Sequence, residues 1–126
     1  IHIGSRAPAH CTSTGRVLLA AMPDDLVQDY LDRTKPVALT PQTVTSKVKL
    51  RDAIEETRRQ GWSIVDQELE VGLRSLSVPI RNRFGTTVAA LNVCCPTPRW
   101  TIEDMRARIL TETLDASNRI MMALQS

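Results

Sequence analysis

The chain has 126 residues, enough for one domain around one core. Its 16 basic and 14 acidic residues leave a net charge of +2, too balanced to grip nucleic-acid phosphate by charge alone. Aromatic residues make up only 3%, which demands an aliphatic core and excludes a stacking platform for single-stranded nucleic acid.

No apolar run is long enough to span a bilayer and no signal-peptide pattern opens the chain, so no membrane partner is expected. Three cysteines, two of them adjacent, make a poor disulfide framework and suit a reducing cytoplasm. The opening IHIGSRAP alternates like the end of a strand and has no initiator Met, which points to a fragment of a longer protein. Without repeats or linkers, residues 1–126 read as one compact domain.

After Pro8 the pattern turns helical. Thr12 or Ser13 can cap the first turn, and Val17, Leu18 and Ala21 give the buried side. Pro23 suits the first turn of a second helix, where Asp24 and Asp25 favour the positive end; Leu26, Val27, Tyr30 and Leu31 form its stripe. KPVALTPQTVTS reads as irregular. Residues 46–60 read as a third helix, capped by Ser46, with Leu50, Ala53, Ile54 and Thr57 on one face. Arg51–Glu55 and Glu55–Arg59 lie on the wet side, and Gly61 ends the helix.

The period then changes to two. WSIVDQEL reads as a strand; LRSLSVPIRN and TTVAALNVCC read as two more, joined around Phe84-Gly85 as a hairpin. Pro79 lacks an amide and suggests an edge or a bulge. A long helix runs from Thr101 to about Leu124, with Thr101 and Asp104 at capping-box spacing. It carries two apolar stripes, Ile102, Met105, Ile109, Ala116 and Ile120 beside Leu110, Leu114, Met121 and Leu124. So wide an apolar face predicts contact with a sheet and with another subunit. The fold class is α+β, an antiparallel sheet with helices on its faces.

A two-residue loop at Phe84-Gly85 and a four-residue loop around it give the same pairing, with Arg83 opposite Thr86, Ser77 opposite Asn92 and Ser75 opposite Cys94. Alternation then puts Ser75, Ser77, Asn92 and Cys94 on one face and Leu76, Val78, Ile80, Leu91 and Val93 on the core face. The polar face is either solvated or the floor of a pocket for a small polar ligand. Cys94 and Ala90, residues of buried type, favour the pocket.

HCTSTGRVLLA, residues 10–20, admits three chemistries. A Cys–His nucleophile is disfavoured, because adjacent side chains diverge in an extended chain and no third orienting group is evident. A metal site drawn from His10, Cys11, Cys94 and Cys95 has the right ligand types without the usual spacing. The third is the helix start itself. There the amides of Ser13, Thr14 and Gly15 lack intrahelical acceptors and can hold a carboxylate, unless Thr12 or Ser13 caps them.

PAHCTSTGRVLLA, L…AIEETRRQGW, DQELEVGLRSLSVPI and G…VAALNVCCPTPR together resemble the C-terminal effector-binding domain of IclR-type bacterial transcription regulators. The forms AHCTSTGRVLLA and DQELEVGLRS look most like the branch governing protocatechuate, 4-hydroxybenzoate and β-ketoadipate catabolism. The resemblance implies a GAF-like fold, a curved antiparallel sheet with flanking helices, whose first strands precede residue 1. It implies a winged helix-turn-helix domain, outside this chain, that binds operator DNA, and assembly as a homo-oligomer, dimer or tetramer.

The resemblance also implies a site. The effector's carboxylate rests on the amides of Ser13 and Thr14, and Val65, Ser75, Asn92 and Cys94 complete the slot. Relatives carry Asp where this chain has Val65 (Asp66 follows), Cys where it has Ser75, and Ser at both Asn92 and Cys94. A slot with less negative charge and an added amide suits an effector other than glyoxylate or pyruvate, a larger acid or one with a second carboxylate. The combined reading is a cytoplasmic, non-enzymatic sensor of an aromatic acid or ring-cleavage dicarboxylate. It needs no cofactor or metal, and its ligand contacts are Ser13, Thr14, Val65, Gln67, Ser75, Ser77, Asn92 and Cys94. The alternatives are an oligomerisation domain of the same fold with no working pocket, and a thiol- or metal-dependent enzyme.

Overall fold

A computed structural model describes residues 3–125. Helix α1 (Ser13–Ala20) starts where Thr12, in extended conformation, accepts the Gly15 amide on its side chain at 3.1 Å. Its inner residues are Val17 and Leu19, whereas Leu18 and Ala21, predicted to be core, are exposed. Helix α2 (Asp24–Arg33) begins one residue later than predicted, because Pro23 is the N-cap rather than the first helical residue. Val27 and Leu31 are buried; Leu26, half exposed, is not.

Helix α3 (Lys47–Gln60) is capped by the Ser46 hydroxyl and closed by Gly61 at φ 82°, a left-handed conformation that costs glycine little. Arg59 pairs with Glu56 instead of Glu55. Leu50 and Ile54 pack with Leu19, Val27 and Leu31 into one apolar cluster between the three helices.

The sheet is antiparallel in the order β1 (Ser63–Asp66), β2 (Leu73–Arg81), β3 (Thr87–Pro96). β1 is shorter than WSIVDQEL suggested, because Gln67 turns to φ 57° and ends it. Ser77 pairs with Asn92 and Ser75 with Cys94, as alternation required. The loop itself differs. Asn82 pairs with Thr86 through its amide, Gly85 stands at φ 80°, and Arg81 faces Thr87. The loop is therefore three residues with a left-handed glycine, and one extra residue in β3 restores the expected register from Ile80–Ala89 onward. Pro79 lies next to this irregularity and past the end of β1, so its missing amide breaks no ladder toward β1.

On one sheet face Leu76, Val78 and Cys95 pack against Met105, Ile109, Leu110 and Trp100. The helix that supplies Met105, Ile109 and Leu110 starts just after Trp100 with the predicted capping box at Thr101 and Asp104. It runs through α4 (Ile102–Asp104), a π turn (Met105–Ile109) and α5 (Leu110–Leu124). Thr113 and Ser117 face the sheet, the latter donating to the Pro79 carbonyl at 2.8 Å. Leu114, Ile120 and Leu124 of the predicted stripes are instead at least a third exposed. The opposite sheet face carries α1, with α3 packed on α1's far side. The strand end predicted for IHIGSRAP falls partly on residues outside the described range. Residues 3 and 4 form a turn, with Gly4 at φ 88°.

Candidate functional site: a helix start over a polar sheet face

Thr12 occupies the Gly15 amide, and the first intrahelical bond runs from the Arg16 amide to the Thr12 carbonyl at 3.1 Å. The amides of Ser13 and Thr14 are the two that helix geometry leaves without an acceptor. They stand at the positive end of α1, over the strand face that carries Ser75, Ser77, Asn92 and Cys94.

The Ser13 hydroxyl joins the two. Its oxygen lies 2.9 Å from Ser75 Oγ, 2.8 Å from Ser77 Oγ and 3.0 Å from Asn92 Oδ1. Ser77 Oγ in turn lies 3.1 Å from Thr14 Oγ1 and 2.9 Å from Asn92 Oδ1. Four hydroxyls therefore share four protons among five contacts, since each hydroxyl donates only once. Ser75 can accept from Ser13 and still turn its own proton outward. Asn92 Nδ2 reaches Cys94 Sγ at 3.4 Å.

Beside this cluster opens a cavity of about 450 Å3, within the usual size of a small-ligand site. Ser13, Thr14, Ser75, Asn92 and Cys94 supply its polar end, and Leu18, Val65, Leu69, Leu73, Ala7 and Ala9 its apolar walls. Among the described residues the lining holds no Lys, Arg, Asp or Glu, so backbone amides and the helix dipole are its source of positive potential.

The expected site residues are placed unequally. Ser13, Thr14, Val65, Ser75, Asn92 and Cys94 line the cavity. Ser77 lies fully buried beneath Ser13 and Thr14 and supports them from below. Gln67 turns away, its Oε1 accepting the Gly72 amide at 2.9 Å and its Nε2 donating to Asp66. Leu18, Leu69 and Leu73 were not anticipated. Leu18 carried a usable signal, an apolar residue on the first turns of the helix whose start was already suspected.

The residues considered for metal or nucleophilic chemistry are not gathered. His10 Nε2 meets the Val37 carbonyl at 3.0 Å, Cys11 and Cys94 border the cavity, and Cys95 lies in the core behind the sheet. Burial pushes the Cys11 thiol above its ordinary value, helped by the Glu68 carboxylate, and burial does the same at Cys95. Among the described residues no group of three or more His, Cys, Asp and Glu is placed to hold a metal ion. No helix among them is long and apolar enough to cross a membrane.

Comparison with known proteins gives the same outline. The family model for the bacterial transcriptional regulator IclR C-terminal domain matches residues 1–122. The Pca regulon regulatory protein of Pseudomonas putida is 45% identical over 117 residues, 93% of this chain and 40% of that protein. A transcriptional regulator of Rhodococcus sp. RHA1 superposes with a TM-score of 0.95 at 42% identity, covering 97% of this chain and 49% of the other. The inducer-binding domain of an Acinetobacter PobR double mutant, in complex with 3-hydroxybenzoic acid, superposes with a TM-score of 0.91 at 29% identity. That match covers 95% of this chain and 69% of the other. The chain spans about 40% of the length of the first curated relative.

Proposed function

The chain belongs to the IclR C-terminal family of bacterial transcriptional regulators, and from that premise we propose that its cavity senses an aromatic acid or an acid formed by ring cleavage. The carboxylate takes the Ser13 and Thr14 amides, Ser75 and Asn92 supply donors from the floor, and the body of the ligand lies between Leu18, Val65, Leu69 and Leu73. The observation that carries this reading is one cavity with a donor-rich, side-chain-neutral end and aliphatic walls. Such an end attracts an anion through partial charges, and such walls reward an apolar body by about 25 cal/mol per Å2 buried. The Acinetobacter domain bound to 3-hydroxybenzoic acid, similar over 95% of this chain, supports the same class of ligand.

In the whole protein the acid shifts the balance between subunit arrangements in a cytoplasmic homo-oligomer, and so the spacing of operator-binding domains outside this chain. The domain itself is a sensor without catalytic chemistry. The test is a thermal-shift screen of the chain against protocatechuate, 4-hydroxybenzoate and their ring-cleavage acids, followed by calorimetry. Asn92→Leu and Ser75→Val should each weaken the best acid roughly 10- to 100-fold, the worth of a hydrogen bond to a charged group. Undiminished binding by both variants would remove the site from contention.

A further inference from the structure

Outside the cavity lining lies a buried ion pair. Arg16, on the first turn of α1, meets Glu68 through two parallel bonds, Nη1 to Oε2 at 2.9 Å and Nη2 to Oε1 at 2.7 Å. Their side chains are 6% and 8% exposed. Arg16 Nη2 also donates to the His10 carbonyl at 3.1 Å, while its Nε has no partner among the described residues. Glu68 Oε1 accepts the Val44 amide at 3.0 Å, and the Glu68 carbonyl accepts Thr43 Oγ1 at 2.6 Å.

Such a pair is an expensive way to hold a core. Two desolvated charges are often replaceable by apolar residues at no loss of stability, whereas removing one partner strands the other. The unpartnered Nε adds to the cost. What the pair supplies is a fixed geometry. Glu68 lies in the irregular segment between β1 and β2, bounded by two residues with positive φ, Gln67 at 57° and Gly72 at 88°. The residue after Glu68 is Leu69, a cavity wall, and Leu73 follows the segment as another. Arg16 lies two residues beyond Thr14 on the helix whose amides form the cavity's polar end. The pair thus ties an apolar wall to the anion-binding helix, although neither residue lines the cavity.

We propose that Arg16 and Glu68 form a positioning latch that holds the segment between β1 and β2 against α1, and so sets ligand affinity without touching the ligand. The proposal rests on the functional reading for its consequence, but the latch has a ligand-free signature. Cys11 is fully buried, borders the cavity and lies close enough for both charges to act on its thiol. Cys95, equally buried, sits behind the sheet among Leu76, Val78 and Met105.

The experiment uses the double variant Arg16→Met/Glu68→Gln, which strands no charge and keeps an acceptor for the Val44 amide. Peptide-resolved iodoacetamide alkylation, followed with pH so that rates are compared at equal thiolate fraction and the two removed charges cannot mimic opening, should then rise roughly tenfold at Cys11 with little change at Cys95, the pattern of a local opening. Equal rises at both thiols would mean general destabilisation and overturn the latch, as would no rise at Cys11. Where the wild type binds 4-hydroxybenzoate, affinity should fall at least tenfold in the double variant, and retained affinity would overturn the positioning role. If the wild type binds none of the acids, the functional reading fails, while the thiol pattern still judges the latch.

Discussion

Gly15→Ala sets two effects of opposite sign against each other. Alanine is the best helix former, and in a helix interior it gains about 1 kcal/mol over glycine. Here the added Cβ would lie 2.3 Å from the Ala9 carbonyl oxygen and 2.4 Å from the Ala9 Cα, both backbone atoms. Ordinary contact begins near 3.4 Å, so the 8–10 segment must retreat by roughly 1 Å. Overpacking of this kind costs about 1–3 kcal/mol or more, and the obstacle is backbone rather than a side chain that can rotate aside. Sterics should therefore win, with a net loss of up to about 2 kcal/mol and a melting temperature lower by several degrees. Ala9 and Cys11 border the cavity, so ligand affinity should fall with it. Calorimetric melting and titration of the variant measure both. A Gly15→Ala chain that melts higher than wild type and binds equally well would show that the close approach of the 8–10 segment to α1 is wrong.

Ser13→Ala removes the hydroxyl that contacts Ser75, Ser77 and Asn92. It should cost about 1–2 kcal/mol, read as a lower urea midpoint at unchanged slope; an unmoved midpoint would mean the cluster contributes nothing to the fold. The raised thiols predict a pH effect whose sign follows from burial. Above the ordinary thiol value of 9.0 the unfolded chain releases protons that folded Cys11 and Cys95 retain. The unfolded state then binds fewer protons, so stability declines as pH rises through 9.0 toward the raised folded values. Cys11→Ala should flatten that decline in urea melts at successive pH values, and an unchanged slope would exclude Cys11 as a source.

The readable parts of this site are those where a short-range rule acts alone. Two-residue alternation placed Ser75, Ser77, Asn92 and Cys94 on one face, and it survived a wrong loop because one extra residue in β3 compensates for the odd number of residues in the turn. Capping chemistry likewise located the start of α1 at Thr12 or Ser13, of which Thr12 is the cap. What resisted reading depends on the third dimension. Leu18 and Leu19 are equally apolar, yet Leu19 enters the core shared with α2 and α3 while Leu18 borders the cavity. A helix packed between a sheet and other helices has more than one inner side, so its stripe cannot say which side is filled by protein. Leu69 was hidden by Gln67, whose positive φ ends β1 two residues before it and breaks the alternation, whereas Leu73 lies two residues before Ser75 in β2 and was within reach of the same alternation. The Arg16–Glu68 pair spans 52 residues and leaves no periodic trace. It is legible only once the segment between β1 and β2 is seen to fold back over α1, and that return makes a cavity of what would otherwise be an open polar face.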